Sequence, residues 1–189
     1  MAPGLFLAGC ADDTAKTAEK PAEPVTGLHG LYQMYTFART WAQDLKVIRL
    51  TSLDIPEMKP APGKAAAWRV EFASESLGKA RAYTFSVYEE SVTVRKGIFA
   101  ESSTALSGGT PSFELAAAKT DSDQAWPVAL EHAKKYAAAN PKMAISWILE
   151  TDPERKIPVW RVIWGTSAAT SGFSVVVNAE DNSYVRSLT

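Results

Sequence analysis

An α+β protein made of two tandem repeats, each one N-terminal helix packed on an antiparallel sheet of about four strands, is what this 189-residue sequence predicts. Three observations lead there. Ala67-Trp68-Arg69-Val70 is echoed by Val159-Trp160-Arg161-Val162, and the flanking patterns recur in the same order, down to Phe85-Ser86-Val87 and Phe173-Ser174-Val175. Each half carries one stretch with helical periodicity, followed by runs whose apolar residues alternate with period two, as half-buried antiparallel strands do. Six Trp, six Tyr and seven Phe supply a large apolar payload, since a buried aromatic removes roughly 150–250 Å² from water.

In the second half, Asp121-Ser122-Asp123-Gln124 offers a helix N-cap with Gln three residues on, a capping box. Trp126, Ala129, Leu130, Ala133, Tyr136 and Ala137 then form one apolar stripe, and Asn140-Pro141 ends the helix near Ala139, because the residue before Pro is pushed out of the α region. Ile145, Trp147 and Leu149 share a strand face. So do Trp160, Val162 and Trp164 after the charged turn Asp152-Pro153-Glu154-Arg155-Lys156, and then Phe173, Val175 and Val177. Tyr184 to Leu188 closes the unit.

The first half follows the same plan, with a helix over about Leu31 to Asp44. Strands are expected near Lys46 to Leu53, Ala67 to Ala73, Ala82 to Glu89 and Val92 to Phe99. Ser102 to Ser112, rich in Ser, Gly and Thr, reads as a connection between the halves. The chain therefore divides into residues 1–10, 11–29, a first unit over 30–100, a linker over 101–118 and a second unit over 119–189. Units of about 70 residues are marginal alone, so the two sheets are expected to associate.

The N-terminus asks for a different explanation. The only cysteine, Cys10, has no partner for a disulfide and cannot build a metal cluster. Leu7-Ala8-Gly9-Cys10, preceded by Leu5-Phe6, resembles the lipobox of bacterial lipoproteins. The resemblance implies that Cys10 is the lipidation site and that residues 1–10 are the remnant of a signal, whose basic n-region would lie upstream of Met1. Acyl chains at Cys10 would anchor the protein, each buried CH₂ contributing about 0.8 kcal/mol. Residues 11–29, rich in Ala, Thr, Lys, Glu and Pro and poor in large apolar side chains, read as a disordered tether. An exported protein is expected, anchored to a bacterial membrane and facing the periplasm or the exterior. Ala11-Asp12 after the cysteine points to the outer membrane if the host has two. No apolar run after residue 30 reaches the 18 or more residues of a transmembrane helix.

The second half also resembles the PepSY-like families, which pair an N-terminal helix with an antiparallel sheet bearing a Trp-x-Val strand (Trp160-Arg161-Val162) and a hairpin written Asp-Ala-x-Thr-Gly. Here the hairpin reads Asn178-Ala179-Glu180-Asp181-Asn182. Asn tolerates the positive φ that the missing Gly would have taken. The resemblance covers 119–189 well and 30–100 loosely. It implies a PepSY/cystatin-like fold and a non-enzymatic role in binding, or restraining, a protease or another envelope protein.

Recognisable catalytic apparatus is missing. The sequence holds two histidines, His29 and His132, and no nucleophile-elbow, zincin or phosphate-loop motif. Glu150, Asp152 and Glu154 alternate near a turn, where Pro153 and Arg155-Lys156 argue against a calcium loop and for a solvated hairpin tip. Glu89 and Glu90 would face opposite sides of a strand, so they form no acid/base pair. Lys and Arg total 20 against 21 Asp and Glu, which speaks against nucleic acid as a partner. No cofactor, metal or catalytic residue is expected. Arg69 and Arg161, beside the repeated Trp and pointing away from it, either pair within the sheet or line a binding face. The leading reading is an envelope lipoprotein that binds a protein or peptide. Its alternatives are a structural or assembly lipoprotein of the envelope and an enzyme acting on an extracytoplasmic substrate.

Overall fold

A computed structural model describes residues 22–55, 61–88 and 95–189. The elements run β1 (Val25–Thr26), α1 (Gly27–Ala38), β2 (Leu45–Leu53), β3 (Lys64–Ala65), β4 (Ala67–Ser74), β5 (Lys79–Ser86), β6 (Gly97–Ala100), β7 (Thr104–Ala105), α2 (Ser122–Ala139), β8 (Ile145–Thr151), β9 (Pro158–Trp164), β10 (Phe173–Asn178) and β11 (Tyr184–Leu188). The fold is α+β: two helices and one large antiparallel sheet.

That sheet is continuous, in the order β11-β10-β9-β8-β2-β4-β5-β6, with β7 on the far end of β5. The two four-stranded sets do not stack as separate sheets. They join edge to edge where β2 pairs with β8, through Arg49↔Glu150, Leu50↔Leu149 and Thr51↔Ile148. Each half thus covers an open edge of the other, which removes two strand edges from solvent. Both helices lie on the same face. Leu31, Met34, Val47, Leu50, Trp68, Val70, Phe72, Trp147, Leu149, Trp160, Val162, Trp164, Val175 and Val177 belong to one core cluster that spans both halves.

The helices meet the sheet through small residues. In α2 the buried positions are Ser122, Ala125, Ala129 and Ala133, which lets the helix approach closely and leaves Trp126 and Leu130 on its flank rather than beneath it. Pro127 sits within the first two turns, where few helical hydrogen bonds are lost. In α1, Gly27 abuts the Trp160 ring, and a Cβ on Gly30 would stand 2.9 Å from Trp68 Cδ1. Any side chain at these two positions would displace a buried indole.

Several boundaries differ from expectation. Helix α1 begins at Gly27, inside the 11–29 segment read as a tether, and ends at Ala38 rather than Asp44. Thr40 Oγ1 donates to Phe37 O and Trp41 N to Ala38 O, which tightens the chain into a turn. Strand β5 starts three residues early because Gly78, at φ 59°, closes a turn onto Glu75 O. Part of the expected strand Val92 to Phe99 lies outside the described residues, and from Gly97 on it is β6. The 101–118 connection is packed rather than free. Phe113 and Val47 exchange backbone hydrogen bonds of 2.8 and 3.0 Å, and Phe113, Leu115 and Ala118 enter the core. In the turn between β10 and β11, Asn182 adopts φ 63°, a conformation that Asn tolerates better than most side chains.

Candidate functional site

Trp126, carried on the flank of α2, starts an aromatic cluster. Its ring stacks on Trp164 at 5.9 Å and is tilted against Trp147, also at 5.9 Å, while Trp147 meets Trp160 edge-on at 6.4 Å. Above the first three rings opens a cavity of about 320 Å³, walled by Leu130 and Ala137 of α2, Asn140-Pro141 and Met143 after it, Ile145, and Ala61, Pro62 and Lys64 of the segment leading into β3. It falls at the lower end of the volumes usual for ligand sites, about 300–1,000 Å³.

Local sequence explains the opening. Alanines at 125, 129 and 133 seat α2 close to the sheet, so the bulk of Trp126 and Leu130 is pushed to one side. The helix stops at Asn140, whose Nδ2 donates to Tyr136 O, and the chain turns away before β8. Leu130 and Met143, each 37 % exposed, both border this space. Among the described residues the only ionisable side chain on the wall is Lys64, which is exposed and has no ion-pair partner among them. With one cation and no carboxylate or imidazole among the described residues that line it, the wall brings no acid/base pair together there. It can hold an apolar group, with a positive charge at the rim.

The residues singled out from sequence lie elsewhere. Arg69, Thr51, Ile148 and Arg161 occupy one row across four strands on the helix-free face. The two arginines are separated by two strands, roughly 14 Å at a strand spacing of about 4.8 Å. Both are engaged. Arg69 makes a two-pronged pair with Glu101, at 2.8 and 3.0 Å, and Arg161 Nε donates to Ser174 Oγ at 3.1 Å. His29 is on the first turn of α1 against Phe85, and His132 is stacked on Tyr184 at 3.6 Å, so the two imidazoles are not brought together. Among the described residues no group of three or more His, Cys, Asp or Glu could hold a metal ion, and no helix is long and apolar enough to cross a membrane. Cys10 lies outside the described residues.

The Glu150/Asp152/Glu154 turn corrects the expectation of a solvated tip. Asp152 is fully buried: its Oδ1 accepts from Glu154 N (3.0 Å) and Arg155 N (2.8 Å), and its Oδ2 pairs with Arg186 of β11 at 2.6 Å. Glu150 pairs across the sheet junction with Arg49 at 2.8 Å. Burial alone would raise the Asp152 carboxyl, but the backbone donors and the Arg186 guanidinium outweigh it and hold the acid below its ordinary value. A depressed native value means stability present above the unfolded value, about 3.9, and lost as the pH falls through the native one. Asp152→Asn should therefore lower the urea midpoint near neutral pH, by about 2 kcal/mol for charged hydrogen bonds, and the gap to wild type should narrow below pH ~4. A gap that stayed constant down to acid pH would show that the charge is not what matters.

No protein-family model matches the chain, and no curated protein sequence matches it. Among solved structures the chain resembles one described as a "putative lipoprotein (CD1622) from Clostridium difficile 630", with a TM-score of 0.52 and 9 % identity, over 88 % of this chain and 94 % of that one. At that identity the likeness concerns the fold.

The cavity residues escaped the sequence reading because Trp126 and Leu130 were assigned to the core stripe. One signal was available. Ala129 and Ala133 of that stripe line up with Ala125 as an all-alanine face, and an alanine face packs closer than a Trp/Leu face.

Proposed function

We propose that this chain is a non-enzymatic, lipid-anchored protein of the cell envelope, whose folded part is two tandem PepSY-like helix-plus-sheet repeats and binds a protein or peptide. The observation that carries the binding reading is the cavity beside α2, with apolar walls, a tryptophan floor and no converging acid and base among the described residues. Two equivalent hydrogen bonds support the repeat: Trp68 Nε1 donates to Val25 O and Trp160 Nε1 to Thr120 O, in each case the residue just before the N-cap of the helix of its own half. The lipobox-like Leu7-Ala8-Gly9-Cys10 supports the anchor, and the fold neighbour described as a lipoprotein agrees with it.

Two experiments test the reading. With a complete signal placed before Leu5 and expression in a lipoprotein-processing host, labelled fatty acid should be incorporated into wild type and not into Cys10→Ser; equal labelling would overturn the anchor. Panning a random peptide library against the full chain should enrich a sequence class binding with Kd at or below ~100 μM, about −5.5 kcal/mol. If panning returns only background, the binding function fails.

A further inference from the structure

We propose, on the basis of that binding reading, that the cavity beside α2 is the peptide site and that it takes an aromatic side chain flanked by a carboxylate. Three features of the wall define this occupant.

The floor comes first. Trp126 already meets Trp147 and Trp164 at ring separations of 5.9 Å each, so no ring slides between it and either of them. Trp147 and Trp164 are nearly sealed, at 2 % exposure each, and Trp126 is the partly exposed member. A ligand ring therefore lies against this surface, under the exposed edges of Leu130 and Met143. Aromatic pairs favour offset or edge-on contact at about 4.5–7 Å. The volume, about 320 Å³, is roughly twice the ~150 Å³ of a cavity that holds benzene, enough for one phenyl or indole group with its backbone.

The charge comes second. Tryptophan floors also attract cations through their ring faces, and here that alternative is opposed by the exposed ammonium of Lys64 at the rim, which has no ion-pair partner among the described residues. A cationic ligand would be repelled by it and an anionic one drawn in. The other polar side chain on the wall among the described residues is Asn140, whose amide is bound to Tyr136 O.

The third feature is the frame. Ser122 Oγ donates to Gly63 O and accepts from Gly27 N, so the segment carrying Lys64 is tied to the starts of both helices. Lys64 also pairs in strand register with Thr26. The cation is thus held at a fixed place against the floor, which reduces the ordering that binding would require.

The test uses the full chain with Cys10→Ser, so that it stays in solution, and the peptide acetyl-Gly-Glu-Phe-Glu-Gly-amide. Binding should be saturable by tryptophan fluorescence. Indole N–H resonances of Trp126, Trp147 and Trp164 should shift, while those of Trp41 and Trp68 stay put. Leu130→Glu and Lys64→Glu, both at exposed positions, should each weaken binding about ten-fold or more at unchanged circular dichroism, about 1.4 kcal/mol or more, and Lys64→Arg should retain it. Peptides with Ala for Phe or Gln for Glu should bind more weakly by a similar factor. Tetramethylammonium should leave the indoles unmoved. Peptide binding that ignores Leu130→Glu or Lys64→Glu, that shifts resonances elsewhere, or that occurs only with peptides lacking the aromatic acid overturns this assignment while the binding function stands. Failure of every panned peptide overturns both.

Discussion

Trp160→Ala is expected to destabilise the protein by about 3–5 kcal/mol, the range for removing a large buried aromatic, and to do so in both halves at once. Trp160 is fully buried, its ring lies against Gly27 of α1, and it contacts Trp68 edge-on at 6.3 Å and Trp147 at 6.4 Å. Its indole N–H also holds Thr120 O at the start of α2 at 2.8 Å. Alanine would leave a cavity where the two helix starts and the sheet meet, and an unsatisfied carbonyl. Because a domain of ordinary stability has only about 5–15 kcal/mol, the variant should lose a large share of its total stability and unfold at a markedly lower urea concentration. Trp68→Ala should behave alike, since Trp68 is equally buried and its Nε1 holds Val25 O at 3.1 Å. Urea denaturation followed by fluorescence and by backbone circular dichroism measures both. If either variant kept its midpoint within ~0.5 kcal/mol of wild type, the central position given to these indoles would be wrong. Coincident transitions by the two probes are expected, because one core and one sheet join the halves.

Much of this architecture was legible because strand faces are written locally. Trp68, Val70 and Phe72 alternate with Arg69 and Glu71, and Trp160, Val162 and Trp164 alternate with Arg161 and Ile163. Strands β2, β4, β8 and β11 therefore fall within a residue or so of where period-two patterning puts them. What joins the halves was not legible. The β2–β8 pairing spans about a hundred residues, and nothing in the apolar alternation of Leu45–Leu53 distinguishes a neighbour in the same half from one in the other. Asp152 was misread for a related reason. Its acidic turn looks solvated until Arg186, 34 positions on, folds back over it from β11. The cavity lies between these cases. Its tryptophans were visible, but whether Trp126 points under the helix or beside it depends on how closely the alanine face of α2 seats on β9 and β10.

Helix α1 shows most clearly what a local reading omits, and it leads to the second large effect. Its N-cap residue, Thr26, makes no side-chain cap hydrogen bond, so no sequence signal marks the helix start. The cap comes from the other half. Asp121 Oδ1 accepts from Leu28 N at 2.9 Å, and Ser122 Oγ accepts from Gly27 N at 2.8 Å. The same Asp121 oxygen accepts from Ser122 N at 2.7 Å, and the Asp121 side chain forms the capping box of α2 with Gln124. One carboxylate therefore serves the positive ends of two helices, which meet N-terminus to N-terminus. Removing an ordinary cap costs about 0.5–2 kcal/mol, and here two helices lose one together. Asp121→Ala is accordingly expected to cost roughly twice that, about 1–4 kcal/mol. Asp121→Asn, which keeps an acceptor oxygen, should recover most of the hydrogen-bonding part. Hydrogen exchange distinguishes this shared cap from a private one: in Asp121→Ala the amides of Gly27 to Leu31 should lose protection along with those of Ser122 to Trp126. Loss confined to the first turn of α2 would show that α1 starts without help from the second half.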